Sequence, residues 1–174
     1  MSIIVEEINK QHHRNKFDCG VIELNKFLQQ QARQKTVKNI SKTYVICQKS
    51  EPTIIIGYYT LTGYSVTTPP NSKIYKKYPH PLNAVKLARL AVDRLQQGQR
   101  LGEKLLIDAI VRTILVSQQL SVIGLFVDPM TPQVIPFYQQ YNFLPANIDD
   151  HSNLELWLPI KTCREIVTSL NDKP

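Results

Sequence analysis

Cysteine is scarce in this 174-residue chain: Cys19, Cys47 and Cys163 are odd in number, far apart and in no C-x-x-C pair. That excludes a disulfide framework and a cysteine-based zinc site, and marks the three as reduced, mostly buried thiols. The four histidines, His12, His13, His80 and His151, show no metal-ligand spacing, so no metal is expected. No window approaches the roughly 18 consecutive apolar residues of a membrane span. The N-terminal "MSIIVEEINKQHHRNK" lacks the apolar stretch of roughly 7 to 15 residues and the cleavage site of a secretion signal. A cytoplasmic protein is therefore expected. Internal repeats and low-complexity tracts are also absent.

What is present is 43% hydrophobic content, enough for one globular domain spanning residues 1–174 with a two-layer core. The net charge of +7 is unevenly spread. Residues 1–100 hold 16 Lys/Arg against 6 Asp/Glu, whereas residues 101–174 hold 5 against 8. The basic half reads either as solvated surface or as a face that attracts a polyanion such as RNA.

"SIIVEEI" alternates as a strand, and "CGVIELNKFLQQQARQ" places Val21, Leu24, Leu28 and Ala32 at helical spacing, with Asp18 as its expected cap. "KTYVICQ" and "TIIIGYYTLTGYSVTT" are β-branched and aromatic and predict an antiparallel hairpin, with a bulge or close approach at Gly57 and Gly63. Residues 69–83, "PPNSKIYKKYPHPLN", predict an irregular surface loop. "AVKLARLAVD" predicts a strand. From Leu101 to about Ser117 an apolar stripe at Leu105, Leu106, Ala109, Ile110 and Ile114 predicts a helix. "SVIGLFVD" is the next strand, and Thr131 before Pro132 opens a helix ending near Asn142. "NLELWLP" and "IKTCREIVTSL" close the chain as strand and helix. The class is α/β (α+β): a mixed central β-sheet with helices on both faces.

The segment "LARLAVDRLQQGQRLGEKLL", residues 87–106, carries the chemistry. A strand passing through a glycine turn into a helix leaves the first helical N–H groups unpaired, with the positive end of the helix dipole behind them. Gly98 and Gly102 keep side chains clear, Gln97 and Gln99 offer amides, and Arg100 and Lys104 add charge. The same segment also reads as a plain connector, and it matches neither G-x-G-x-x-G nor the Walker pattern.

Together with "FYQQYNF", this segment resembles the GNAT family of acetyl-CoA-dependent N-acetyltransferases. The R/Q-x-x-G-x-G/A motif of that family, whose amides bind the pyrophosphate of coenzyme A, is matched here by Gln97, Gly98, Gln99, Arg100, Leu101 and Gly102. Arg100 stands in place of the middle glycine, where it is expected to keep helical dihedrals and to reach a phosphate. The resemblance also implies that the pantetheine arm pairs with Leu90, Ala91 and Val92. "FDCGVIELNKFL", "SKTYVIC", "IIGYYTLTGYSV", "KKYPHPLNAVKLARLAVDRLQQGQRLGEKLL" and "PFYQQYNFLP" narrow it to the GNAT toxins of bacterial type II toxin–antitoxin pairs, over roughly residues 15–158. This implies acetyl transfer from acetyl-CoA to the α-amino group of an aminoacyl-tRNA, blocking translation. It also implies a cognate ribbon-helix-helix antitoxin, and leaves the oligomeric state open, a homodimer included.

Chemistry read from the residues is compatible with this. An α-amino group with a pKa of about 7.7 to 8.0 is substantially neutral near pH 8, so it needs no strong base, and "AVKLARLAVD" offers no glutamate. Asp93 reads as a cap or turn residue. The leaving thiolate needs a proton, and Tyr138 matches the general acid of the family; Phe137, Tyr138 and Tyr141 otherwise read as core aromatics. Lys73, Lys76 and Lys77, interleaved with tyrosines, and Arg89 suit phosphate contacts with tRNA. Two other functions remain open: acetylation of a small amine or protein N-terminus, and a non-catalytic RNA- or antitoxin-binding module on the same scaffold.

Overall fold

A computed structural model describes residues 1–67, 75–78, 81–147 and 149–173. Its strands are β1 (Ile3–Glu7), β2 (Lys42–Gln48), β3 (Gly57–Val66), β4 (Leu82–Val92), β5 (Gly124–Val127), β6 (Leu144–Pro145) and β7 (Leu156–Pro159). They hydrogen-bond in the order β1-β2-β3-β4-β5-β7-β6. The β4–β5 ladder is parallel, while the β1–β2, β2–β3, β5–β7 and β6–β7 ladders are antiparallel. The helices are α1 (Ile22–Gln30), α2 (Ala32–Val37), α3 (Leu101–Gln119), α4 (Ile135–Gln139) and α5 (Ile160–Asn171). This is the mixed α+β sheet that the periodicities predict.

Two compact units divide the chain, one from Met1–Thr62 with Ala88–Ala109, the other from Gly63–Leu87 with Ile110–Pro174. In the first, strand alternation sends neighbouring tyrosines of β3 to opposite faces. The Tyr58 hydroxyl donates to Leu24 O in α1 at 2.8 Å, and its ring packs between Phe17 and Phe27. Tyr59 instead donates to Asp108 of α3 at 2.5 Å. Helices therefore cover both faces of this part of the sheet. Gly57 lies close under α3: a Cβ there would lie 2.9 Å from Ile46 Cγ2, 3.0 Å from Leu105 Cδ1 and 3.1 Å from Ala91 O. Gly63 has no such neighbour within 4 Å, so the expected close approach holds at Gly57 alone.

In the second unit Phe126, Trp157, Val66, Ala84, Ile123 and Ala146 form the core on one face. On the other, Cys163 of α5 is fully buried with its thiol against Leu158 O. Two sequence expectations change, and one strand was not expected. The residue before α1 is Val21, which has no side-chain cap; Asp18 is used elsewhere, as described below. The helix expected to run to Asn142 is a 3-10 turn, Pro132–Val134, followed by the five residues of α4, with Asn142 in a left-handed turn. Strand β6 is too short to leave a periodic signature.

Candidate active site

Within the first unit, β4 runs into a 3-10 turn, Arg94–Gln96, that delivers the chain to α3. Asp93 caps that turn, its Oδ1 accepting from Leu95 N at 3.0 Å, as a turn residue should. The parallel ladder with β5 ends at the Leu87–Val127 pair, five residues before β4 itself ends. Leu90, Ala91 and Val92 lie in that final stretch.

Arg100 provides the first carbonyl of α3, accepting from Lys104 N at 3.2 Å, and so occupies the N-cap. A guanidinium carries only donors and cannot satisfy the first N–H groups of a helix. The Arg100 side chain therefore does not cap α3, and the acidic residue of the first turn is Glu103. Nor does Arg100 keep the helical dihedrals expected of it: its φ is +60°, two residues after Gly98 at +80°. A left-handed residue other than glycine costs about 1–2 kcal/mol, so Arg100 imitates the glycine it replaces at an energetic cost. Its side chain is 80% exposed, with Nε 2.7 Å from Glu103 Oε2 in the first turn of α3. The cation therefore stands at the helix opening without filling it.

Gln97 and Gln99 are not free donors. Gln97 Nε2 bonds Val92 O at 3.1 Å and Cys19 O at 3.4 Å, and Gln99 Nε2 bonds Gln96 Oε1 at 3.1 Å. Arg89 lies on β4 with its guanidinium carbon 3.7 Å from the centroid of Phe27. Lys35 Nζ approaches the same ring at 5.6 Å. Residues 14–42, which include α1 and α2, hold seven Lys/Arg against two Asp/Glu. Lys26, Arg33 and Lys35 sit on the helices themselves and Arg14, Lys16, Lys38 and Lys42 flank them, and the sequence reading assigned phosphate contacts to none of these.

Within the second unit Tyr138 is the buried residue of α4, against Phe137 and Phe143 at centroid distances of 5.1 and 5.4 Å. Burial pushes its phenol up to about 12, so the proton stays on at any physiological pH. Phe137, expected in the core, is only half-buried and stacks edge-on against Tyr138 and Tyr141. Lys76 and Lys77 are exposed in a turn, Lys77 lying over the Tyr78 ring. Lys73 and His80 lie outside the described residues. Sequence reading missed a cluster here: Lys86 Nζ is 2.5 Å from Asp128 and 3.4 Å from Glu155, which also accepts from Tyr64 OH at 2.7 Å. No spacing rule announces it, because its members come from four separate strands or strand ends.

No family model matches the chain. It is 28% identical over 152 residues to the "tRNA-acetylating toxin" of Mycobacterium tuberculosis, covering 87% of this chain and 88% of that protein. Its fold superposes on AtaT complexed with acetyl-methionyl-tRNAfMet with a TM-score of 0.85, at 27% identity over 95% of this chain and 99% of that one. The chain resembles the GNAT-fold toxins in sequence and fold. A tyrosine-to-phenylalanine mutant of AtaT, bound to the C-terminus of the antitoxin AtaR and acetyl-CoA, matches with a TM-score of 0.80 and 25% identity, over 97% and 99% of the two chains. Among the described residues no group of His, Cys, Asp and Glu is arranged to hold a metal ion, and no helix is long and apolar enough to cross a membrane.

Proposed function

We propose that this chain transfers acetyl from acetyl-CoA to the α-amino group of the amino acid on a charged tRNA, and so blocks translation. The observation that carries the reading is the helix opening after Arg100, whose N-cap side chain carries only donors and cannot cap the backbone N–H groups that a phosphate would take. In this reading the pyrophosphate lies over the amides of residues 97–102 and the pantetheine arm pairs with Leu90, Ala91 and Val92. Acetyl-CoA supplies an activated thioester that a neutral amine attacks, releasing a thiolate.

Tyr138 delivers the proton that the thiolate requires. A phenol pushed up to about 12 is a weaker acid than a thiol of about 8.5, so donation to a free thiolate is uphill. Proton transfer must therefore accompany cleavage of the C–S bond, and the proton lost by the attacking amine restores the phenol. The α-amino group suits this scheme because, with a pKa of about 7.7 to 8.0, roughly a tenth or more of it is uncharged at pH 7 and about half at pH 8. Lys73, Lys76, Lys77 and Arg89 are assigned to tRNA phosphates. A cognate ribbon-helix-helix antitoxin is the expected partner, and the bacterial cytoplasm, where charged tRNA resides, the expected compartment.

Calorimetry with acetyl-CoA, followed by transfer of labelled acetyl to a pool of charged tRNA, tests the reading. Heat of binding with label on the aminoacyl-tRNA is expected. Label on a free amino-acid ester with equal efficiency would favour a small-amine acetyltransferase, and no binding of acetyl-CoA would leave a non-catalytic module.

A further inference from the structure

The turn that leads into α3 is held from outside by the loop of residues 17–20, which lies more than sixty residues before the start of β4. The contacts run both ways. Asp93 Oδ2 accepts from Asp18 N at 3.1 Å, and Arg94 N donates to Asp18 O at 2.9 Å. Asp18 Oδ1 accepts from Gly20 N at 2.9 Å and from Asn25 Nδ2 at 2.8 Å, while Cys19 N donates to Asn25 Oδ1 at 2.9 Å. The Arg94 guanidinium reaches Asp18 Oδ2 at 2.9 Å, and Gln97 Nε2 reaches Cys19 O. Asp93 N is anchored in turn to Ile56 O beside β3. The N–H of Gly20 and the amide of Asn25, with Arg94 beyond them, hold the Asp18 carboxyl below the ordinary carboxylate range, so it is ionised throughout the physiological range.

We infer that Asp18, Asn25 and Asp93 form a clasp that positions the cofactor turn, making Asp18 and Asp93 positioning residues for acetyl-CoA. The inference rests on the proposed cofactor reading of residues 97–102. Its physical basis is the strain downstream. Two left-handed residues, one of them arginine, occur between Gln97 and α3. Such a conformation persists only where surrounding bonds over-determine the chain. Downstream the turn is fixed by α3, whose Lys104 N donates to Arg100 O at 3.2 Å. Upstream it is fixed by the clasp, since the 3-10 turn starts at Asp93 and Gln97 is tied to Cys19 and Val92. Anion binding by backbone amides requires several N–H groups to converge on one point, so freedom upstream disperses them.

Which bonds matter can be ranked. The Arg94–Asp18 ion pair joins side chains that are 65% and 38% exposed, where such pairs contribute little. The charge-assisted bonds of the two carboxylates to backbone N–H groups are the stronger class, because they also fix the chain direction.

The test uses the full chain with three variants, Asp18→Ala, Asp93→Ala and Arg94→Gln, and three readouts: acetyl-CoA Kd, kcat at saturating acetyl-CoA, and amide hydrogen exchange at residues 97–102 in the free protein. For the first two variants Kd should rise between about tenfold and a hundredfold, the range of a displaced binding geometry, with kcat within about twofold of wild type. Exchange at residues 97–102 should quicken in both. Arg94→Gln should change Kd by less than about twofold. A fall in melting temperature with wild-type Kd and wild-type exchange would overturn the inference, as the clasp would then be merely structural. A shift as large in Arg94→Gln as in Asp93→Ala would overturn it as well. Should Asp93→Ala fail to fold, Asp18→Ala and Asn25→Leu decide by the same readouts. Failure of the wild-type chain to bind acetyl-CoA overturns the cofactor reading, and the inference with it.

Discussion

The turn from Gln97 to Gly102 and the helix α4 handle their polar groups in opposite ways. The turn is exposed, and its chemistry belongs to the backbone: two left-handed residues, a helix opening, and side chains occupied with one another. In α4 the proposed chemistry rests on one side chain, Tyr138, buried against the rings of Phe137 and Phe143. The contrast teaches where each region is vulnerable. The turn should tolerate changes of side-chain chemistry and fail when its dihedrals are disturbed. The helix should tolerate changes of backbone environment and fail when one hydroxyl is removed.

The largest effect tests the second half of that contrast. Tyr138→Phe should reduce turnover on the order of 10²- to 10⁴-fold, the usual loss for a general acid, with acetyl-CoA affinity unchanged. Single-turnover assays with charged tRNA measure it. Wild-type rates in this variant would return Tyr138 to the aromatic packing of α4 and assign the proton to water.

The pH profile comes next. The rate should climb by tens of fold from pH 6 to pH 8 as the α-amino group, with a pKa of about 7.7 to 8.0, loses its proton. Above that the sign of the shift at Tyr138 decides the shape. A phenol is an acid catalyst only below its pKa, and burial has moved this one up to about 12. No descending limb should therefore appear between pH 8 and pH 10. A decline centred near the ordinary tyrosine value of about 10 would mean that Tyr138 is wetter than the structure has it.

About tenfold is expected at the turn. Gly98 has φ +80° and nothing within 4 Å of an added Cβ, so Gly98→Ala carries a pure backbone penalty. At about 1–2 kcal/mol, that penalty corresponds to roughly a tenfold rise in acetyl-CoA Kd. Gln99→Ala, which alters only a side chain bonded to Gln96, should change Kd by less than about twofold. The reverse ranking would show that side chains, not amides, bind the cofactor.

Much of this was legible beforehand, for physical reasons that differ by element. The stripe from Leu101 to Ile114 announces α3 because a long amphipathic helix repeats its signal several times. Strand β6, two residues long, has no room for a period, and α4 was overdrawn because Pro132 begins a 3-10 turn instead of an α-helix. The motif from Gln97 to Gly102 located the helix opening but not the conformation of Arg100, since a dihedral forced by surrounding bonds leaves no trace in residue type. The clasp of Asp18 on Asp93 was invisible for a related reason: it joins positions 75 residues apart. Asp18 looked like a cap because it precedes α1, and that local role lost to a tertiary one.

The smallest effect sharpens the comparison at its border, on a residue with both side-chain chemistry and exposure. Arg89 stacks on Phe27, a contact of about 0.5–1 kcal/mol, and was assigned to a tRNA phosphate. Stacking fixes the guanidinium plane without consuming its N–H groups, so both roles are compatible. Each phosphate neutralised adds roughly one unit to the slope of log affinity against log salt. Arg89→Gln should flatten that slope for charged tRNA by about one unit and leave acetyl-CoA Kd unchanged. Arg89→Lys should preserve the slope, because it keeps the charge, while losing the planar contact with Phe27 and a few degrees of melting temperature. A slope unaltered in Arg89→Gln would make Arg89 a cover for Phe27 alone, and would move the search for phosphate contacts to Lys35 and the other basic residues of 14–42.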